Sequence, residues 1–429
     1  MRRLPVWLLA PLVLLPLIAA CANVRAPAVT PARFGHTVLD TLTSARYSGR
    51  GYDPSGGAAR AADFLAGRFA ELGLTPMGTD GYRFPFAFSV AQASAGGLAV
   101  DGQALRLGAE YIPLAGSAAG TGTGTARAVR QAASGGDEVL VLHAPPARTY
   151  PLADSIAAAL TPSTRAVVVI DSLLPAFGGN RFRSSVPVLA VRAAAWPGGA
   201  RSVRFALEGQ AETPLRSTDI IGAVRGTAVP DSFLVVTAHF DHLGRVRDAF
   251  GRAPVLFRGA NDNASGTAML VTLAREVARR PLRYTVVFAA MGAEEVGLIG
   301  STALAERPTW PLDRTRFLVN LDMMAGGPAL SVFGGTDHPA EFARLQTLLA
   351  QVGAPAASPR DQRPNSDHWP FVQRGVPAFF LISGGGFPQP YHNIGDVPET
   401  LAWDAWEMLY GVTSGLLRTL DGTPSASTR

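Results

Sequence analysis

The sequence contains no lysine. All 38 of its basic residues are arginine, set against 33 Asp and Glu, and it has a single cysteine, Cys21. These scarcities exclude chemistry. Schiff-base and pyridoxal-dependent catalysis needs a lysine amine, and so does a phosphate-binding P-loop. Iron–sulfur clusters, thiolate zinc sites and internal disulfides need several cysteines. The net charge of +5 is dispersed over 429 residues, with no basic run that would serve a nucleic acid. Catalysis would have to use carboxylates, histidine, serine, tyrosine or arginine, or a metal held by His and Asp/Glu. Histidine is itself scarce, with seven, at positions 36, 143, 239, 242, 338, 368 and 392.

What is present describes a large packed protein. Hydrophobic residues make up 47% and charged residues 17%, enough to bury two or three domains' worth of chain, and 46 Gly with 33 Pro imply many turns. Residues 1–21 join Met-Arg-Arg to an apolar run that closes on Leu17-Ile18-Ala19-Ala20-Cys21. That is the layout of a secretory signal, and its apolar run of about 15 residues is short for a bilayer span. Leu/Ile, two small residues and Cys resemble the bacterial lipobox. The resemblance implies a lipidated Cys21 that attaches the mature protein to a membrane of the cell envelope, on the periplasmic or outer-membrane side, with Ala22 permitting outer-membrane delivery. Residues 22–33, with Pro27 and Pro31, read as a tether, and 421–429 as a tail.

Between these lie three stretches. In 34–90, Ala61, Leu65, Phe69 and Leu72 form one stripe of a helix expected over 58–72, ended by Gly73. Residues 91–214 turn rich in Ala, Gly, Ser and Thr, with short β-type runs at 139–142, 166–170 and 186–191, and read as an inserted, small, mostly-β domain. In 215–420, apolar runs at 233–238, 284–290, 317–321 and 378–382 alternate with helical periodicity, as over 267–278. Strands apolar on both faces alternating with helices predict an α/β fold with a mixed, largely parallel sheet, whose sites lie beyond the carboxyl ends of the strands.

Polar clusters follow those strands: His239-Phe240-Asp241-His242, Gly259-Ala-Asn-Asp262-Asn-Ala-Ser-Gly266, Glu294-Glu295 and Asn320-Leu-Asp322. Further on come Asn365-Ser366-Asp367-His368 and Tyr391-His392. Singly, each fits a solvated loop, a charged pair or a helix cap. Together, two His and three acids beside core strands are what two zinc ions need. Zinc takes neutral imidazole and carboxylate and keeps a position open for water, and a pair of ions can share a carboxylate and a water. A second Glu beside a ligand Glu is placed to move a proton from water to a leaving amine. Asp241, two residues from His239, is placed to hold that imidazole by its other nitrogen.

These motifs, in this order, resemble the di-zinc aminopeptidases of metallopeptidase family 28, which also has carboxypeptidase-like and glutaminyl cyclase-like members. The resemblance spans about 219–415, with weaker support from 43–90. It implies a three-layer α/β/α zinc exopeptidase fold and two Zn²⁺ per chain. His239 and Asp322 would hold one ion, Glu295 and His392 the other, and Asp262 would bridge both. Glu294 would be the general base and acid, and Tyr391 would donate to the tetrahedral oxyanion. It also implies a cis bond at Asp262–Asn263 and supporting roles for Asp367 and His368. The expected activity is removal of N-terminal residues from peptides. The alternatives are a carboxypeptidase, a glutaminyl cyclase, or a non-catalytic binding protein of the same fold. The inserted segment resembles, more weakly, a protease-associated domain through its 166–170 and 185–191 runs. His36, His143 and His338 are expected on the surface or in loops, and His242 as a wall or hydrogen-bonding residue. Loops around 245–258 and 358–390 would set side-chain preference.

Overall fold

The computed structural model describes residues 29–89, 93–114, 117–128, 137–143, 160–171, 184–209, 214–248, 253–385 and 390–422. The signal segment, Cys21, most of the expected tether and nearly all of the tail lie outside the described residues. The tether is shorter than expected, because a helix begins at Pro31 and runs to Thr43. Thr30 caps it by accepting from the Arg33 N–H, and Pro31 occupies the first turn, where its missing donor costs nothing.

The N-terminal piece adds a second helix, Gly57–Glu71, which buries Ala61, Leu65 and Phe69, and then strands β1 (Thr75–Pro76) and β2 (Arg83–Phe88). Eight strands of a second sheet follow. They are β3 (Ala93–Val100), β4 (Gln103–Ala104), β5 (Tyr111–Pro113), β6 (Gly120–Ala128), β7 (Glu138–His143), β8 (Thr164–Asp171), β9 (Val188–Arg192) and β10 (Ser202–Gly209). The chain returns to the first sheet with β11 (Leu215–Val224) and β12 (Val229–His239). A short pair, β13 (Arg245–Asp248) and β14 (Val255–Leu256), then crosses back, and β13 pairs in parallel with β3. The strands β15 (Tyr284–Met291), β16 (Thr315–Leu321), β17 (Leu330–Phe333), β18 (Ser358–Arg360) and β19 (Ala378–Ser383) complete the first sheet.

The first sheet runs β1-β11-β15-β12-β16-β19-β17-β18, with β2 also on β11. Its centre, β15-β12-β16-β19, is parallel; β11 and β17 join that centre antiparallel, and the edge strand β18 runs parallel to β17. The period of two divides its side chains between two cores. Leu234, Val236, Val286, Phe288 and Val319 face the helices Gly57–Glu71, Gly266–Arg279 and Trp403–Leu420. Val235, Val287, Ala289 and Leu318 face the other layer, with Leu304, Trp310 and Phe371. Two apolar faces, each covered by helices, make a three-layer α/β/α domain with a mixed sheet. The second sheet closes on its own core of Leu98, Val139, Val168, Leu189 and Phe205. Among the described residues, no helix is long and apolar enough to cross a membrane.

Candidate metal centre

The parallel strands deliver the polar residues to one end of the first sheet. His239 is the last residue of β12, and Asp322 directly follows β16. Glu294 and Glu295 lie in the turn after β15, and Tyr391 and His392 in the loop beyond β19. Asp262 sits in the helical turn Ala260–Ser265 that leads into the helix Gly266–Arg279, and its bond to Asn263 is cis.

Asp262 divides its carboxylate between two groups. Its Oδ1 lies 3.4 Å from His239 Nε2, which is 3.3 Å from Asp322 Oδ1. Its Oδ2 lies 3.1 Å from His392 Nε2, which is 2.9 Å from Glu295 Oε2. His239, Asp262 and Asp322 therefore form one cluster of donor atoms, and Asp262, Glu295, His392 and His242 form a second. The Glu294 carboxylate stands at the junction, 4.0 Å from His239 Nε2. His392 Nε2 and Asp262 Oδ2 are buried and make no well-formed hydrogen bond despite their proximity. Donor atoms crowded together yet not aimed at one another suit a cation between them, and neutral imidazole with carboxylate oxygen is a zinc donor set. The residues thus fit two metal ions.

A layer of buried polar groups fixes these side chains. The Asp322 Oδ2 accepts from Ser366 Oγ at 2.9 Å, Ser366 accepts from Asn320 Nδ2, and Asn320 accepts from Thr237, so the Asn-x-Asp and Ser-Asp-His motifs form one chain. Asn263 Oδ1 accepts from the N–H groups of Gly266 and Met323, tying the Asp262 turn to the Asp322 loop. Asp241 departs from the expected role. Its carboxylate is 3.8 Å from His239 Nδ1, whereas its backbone carbonyl is at 3.3 Å. The carboxylate is engaged instead by the N–H groups of Glu294 and Glu295, at 3.2 and 3.3 Å. It positions the glutamate pair, because two converging amide donors outbid one imidazole.

Three parts of this scaffold were not visible in the motifs. Asp396 is buried and accepts from the N–H groups of Asn261 and Asp262 at 2.7 and 3.0 Å. Arg50, fully buried, spends its guanidinium on carbonyls of Phe240, Leu42, Arg258, Gly259 and Asp262. Ala293, Met323 and His392 hold φ values of 59°, 53° and 47°, a left-handed conformation costing an L-residue about 1–3 kcal/mol, tolerated where the surroundings over-determine it. Asp367 and His368 are buried beside this layer. Burial raises the Asp367 pKa to about 6 and lowers that of His368 to about 3. His36 stacks on Trp403 and His338 meets Phe317 and Phe379, both away from the cluster, and His143 is exposed.

The adjacent glutamates are pushed apart electrostatically. Burial raises Glu294 well above the usual carboxylate range, and Glu295, Asp367 and Asp322 add to it against the opposing pull of His239. For Glu295, burial is outweighed by His392 and His242, so it is held well below that range. One carboxylate is thereby kept ionised to bind and its neighbour is poised to carry a proton. Burial also works against charging His239 and His392, but the carboxylates around them prevail and raise both. An excess of buried negative charge without metal is the complement of a bound cation. Tyr391, half-buried with its ring 4.2 Å from that of His392, is raised by burial and then by the site's carboxylates, and so keeps its proton.

Residues 219–415 match the profile described as peptidase family M28. In this segment the chain is similar to that family. It is 32% identical over 216 residues to a glutamate carboxypeptidase 2 homolog of Caenorhabditis elegans, covering 46% of this chain and 26% of that one. It is 30% identical over 161 residues to leupeptin-inactivating enzyme 1 of Streptomyces exfoliatus, covering 37% and 34%. The chain spans well under half the length of the curated relatives it matches, from 18% to 41%. Among solved structures, a zinc aminopeptidase from Bacillus subtilis superposes with a TM-score of 0.67 at 19% identity, covering 93% of this chain and 96% of that one. A peptidase M28 precursor from Shewanella amazonensis gives 0.71 at 16%, covering 92% and 94%. At these identities the two structures share the fold alone, and their coverage takes in the second sheet as well as the first.

Proposed function

We propose that this chain is a di-zinc exopeptidase that removes N-terminal residues from peptides. The observation that carries the reading is Asp262, whose two carboxylate oxygens face two separate His–carboxylate groups. His239 and Asp322 would hold one zinc, Glu295 and His392 the other, with Asp262 between. Bound there, zinc supplies Lewis-acid activation of water and of the scissile carbonyl. Glu294, with its raised affinity for a proton, takes one from the attacking water and returns it to the leaving amine. Tyr391, kept protonated, donates to the developing tetrahedral oxygen. The surplus carboxylates of the site suit a substrate with a free, cationic α-amine.

Elemental analysis of the purified protein tests the count, with about two zinc ions per chain expected from a two-metal site. In parallel, amine release from aminoacyl chromogenic amides should stop on chelation and return with zinc. A chain that holds no zinc, or that hydrolyses equally well after chelation, would refute the reading. A panel of aminoacyl amides would then rank side chains, and N-terminal glutamine and C-terminal glutamate substrates would reveal a cyclase or a carboxypeptidase.

The proposal extends to location and architecture. Cys21 at the lipobox position supports a lipid-anchored envelope protein, and Cys21→Ser should release the activity from the membrane fraction. A protease-associated domain is the proposed identity of the inserted 91–214 segment, supported by its separate core.

A further inference from the structure

One histidine at the centre belongs to none of the five ligand positions. His242 has a fully buried side chain, and its Nδ1 lies 2.7 Å from Glu295 Oε1 and 3.7 Å from Asp262 Oδ2. Its ring is held from two sides. A Cβ added at Gly259 would lie 2.4 Å from the ring's Cγ and Cδ2, so the imidazole packs on bare backbone there. The His242 N–H donates to the Arg50 carbonyl at 3.2 Å, which fixes the main chain from which the ring projects. His242 Nε2 is buried and makes no hydrogen bond.

The consequence lies in how Glu295 is divided. Oε2 faces His392 Nε2 at 2.9 Å, on the side shared with Asp262, while Oε1 faces His242. A carboxylate with both oxygens turned to a cation fills two coordination positions. One whose second oxygen is engaged by an N–H donor fills a single position and leaves the other open, and catalytic zinc needs such an opening.

We infer that His242 is a positioning residue that donates from Nδ1 to Glu295 Oε1 and thereby restricts Glu295 to one-oxygen ligation of the second metal ion. The inference rests on the di-zinc reading above. A geometry near 2.7 Å marks a charge-assisted hydrogen bond, and the proton it needs on Nδ1 leaves that nitrogen without the lone pair a metal would take.

The test uses the full chain stripped by chelation and reloaded with cobalt(II), whose visible absorption weakens as coordination number rises. His242→Phe keeps a ring against Gly259 and removes the donor. His242→Asn places an amide donor close to the former Nδ1. Metal stoichiometry, affinity and the cobalt spectrum are measured for each. The expected result for His242→Phe is retention of both ions, a fall of about 10–100-fold in affinity for one of them, and a weaker absorption band, with His242→Asn recovering most of both. A His242→Phe protein with unchanged spectrum and affinity overturns the positioning role while leaving the di-zinc reading intact. Loss of one whole ion from both variants overturns it in favour of direct ligation. A wild-type chain that takes up no cobalt sinks both proposals together.

Discussion

The two sheets both contain a parallel run, but among the described residues only the first gathers a cluster of metal-ligating groups. Each has a run of parallel strands, β15-β12-β16-β19 in the first and β6-β7-β8-β9 in the second. The second run also ends in a residue capable of chemistry, since β7 closes on His143. Strand polarity therefore does not by itself make a site. The difference lies behind the strand ends. Around His239, Asp262 and Asp322, buried Thr237, Asn263, Asn320, Ser366, Asp396 and Arg50 satisfy one another and the ligand loops. In the second sheet, buried Glu138 pairs with Arg127 and Ser163 near the opposite, amino-terminal end of its strand, and His143 stands exposed. A reactive side chain becomes a site when a second layer of polar groups holds it, because a lone exposed one samples many rotamers.

That contrast can be broken by substitution on either side. The largest effect is expected at Glu294→Gln, which should lower turnover by about 10²–10⁴-fold while zinc content by elemental analysis stays at the wild-type value. His143→Ala, its counterpart at a strand end of the second sheet, should leave turnover unchanged. Next comes Arg50→Ala, which strands five carbonyls that accept from one guanidinium. A loss of about 3–5 kcal/mol in urea unfolding is expected, with Arg50→Lys intermediate because an ammonium cannot reach all of them. A smaller loss, about 1–2 kcal/mol, is expected for Val168→Ala in the second core, where Val168 is 0% exposed. It should leave turnover per folded molecule intact; a fall matching that of the first-sheet variants would show that the sheets act as one unit.

The smallest effect concerns pH. Glu276 accepts from Tyr410, Ser414 and Arg418 at 2.6, 2.8 and 2.5 Å. Burial opposes its ionisation, but these donors outweigh it and lower its pKa. A lowered acid stabilises the fold above its unfolded pKa and loses that contribution as pH falls through the folded value. Glu276→Gln should therefore cost about 1 kcal/mol at neutral pH, and the gap to wild type should narrow on acidification.

Much of the centre was legible because its signals are local. Apolar runs marked the strands, and His239, Asp262, Glu294, Glu295, Asp322 and His392 each stand in a short motif beside one. The layer behind them was not legible, because its partners are remote. Arg50 meets Arg258, Gly259 and Asp262 across 208, 209 and 212 residues, and no periodicity announces a single arginine. Asp396 meets Asn261 and Asp262 in the same long-range way. The left-handed Ala293, Met323 and His392 occupy residue types that ordinarily avoid such φ values. The Asp241 carboxylate was misplaced for a related reason, since residue spacing cannot reveal which of two partners the fold brings nearer. The crossing of β13 to the second sheet was missed because four residues, Arg245–Asp248, carry too little pattern to name a partner strand.

The remote reach of Arg50 also orders events on the ribosome. The guanidinium is made early, but four of its five acceptors, from Phe240 onward, emerge about 190 or more residues later. In between, the strands β3 to β10 are synthesised and can close most of their own core first. The N-terminal helices must therefore wait as an unsatisfied segment while the later sheet folds ahead of them, and a nascent chain paused before residue 240 would hold a second core lacking only its β13–β14 edge beside an N-terminal piece with little yet to clasp.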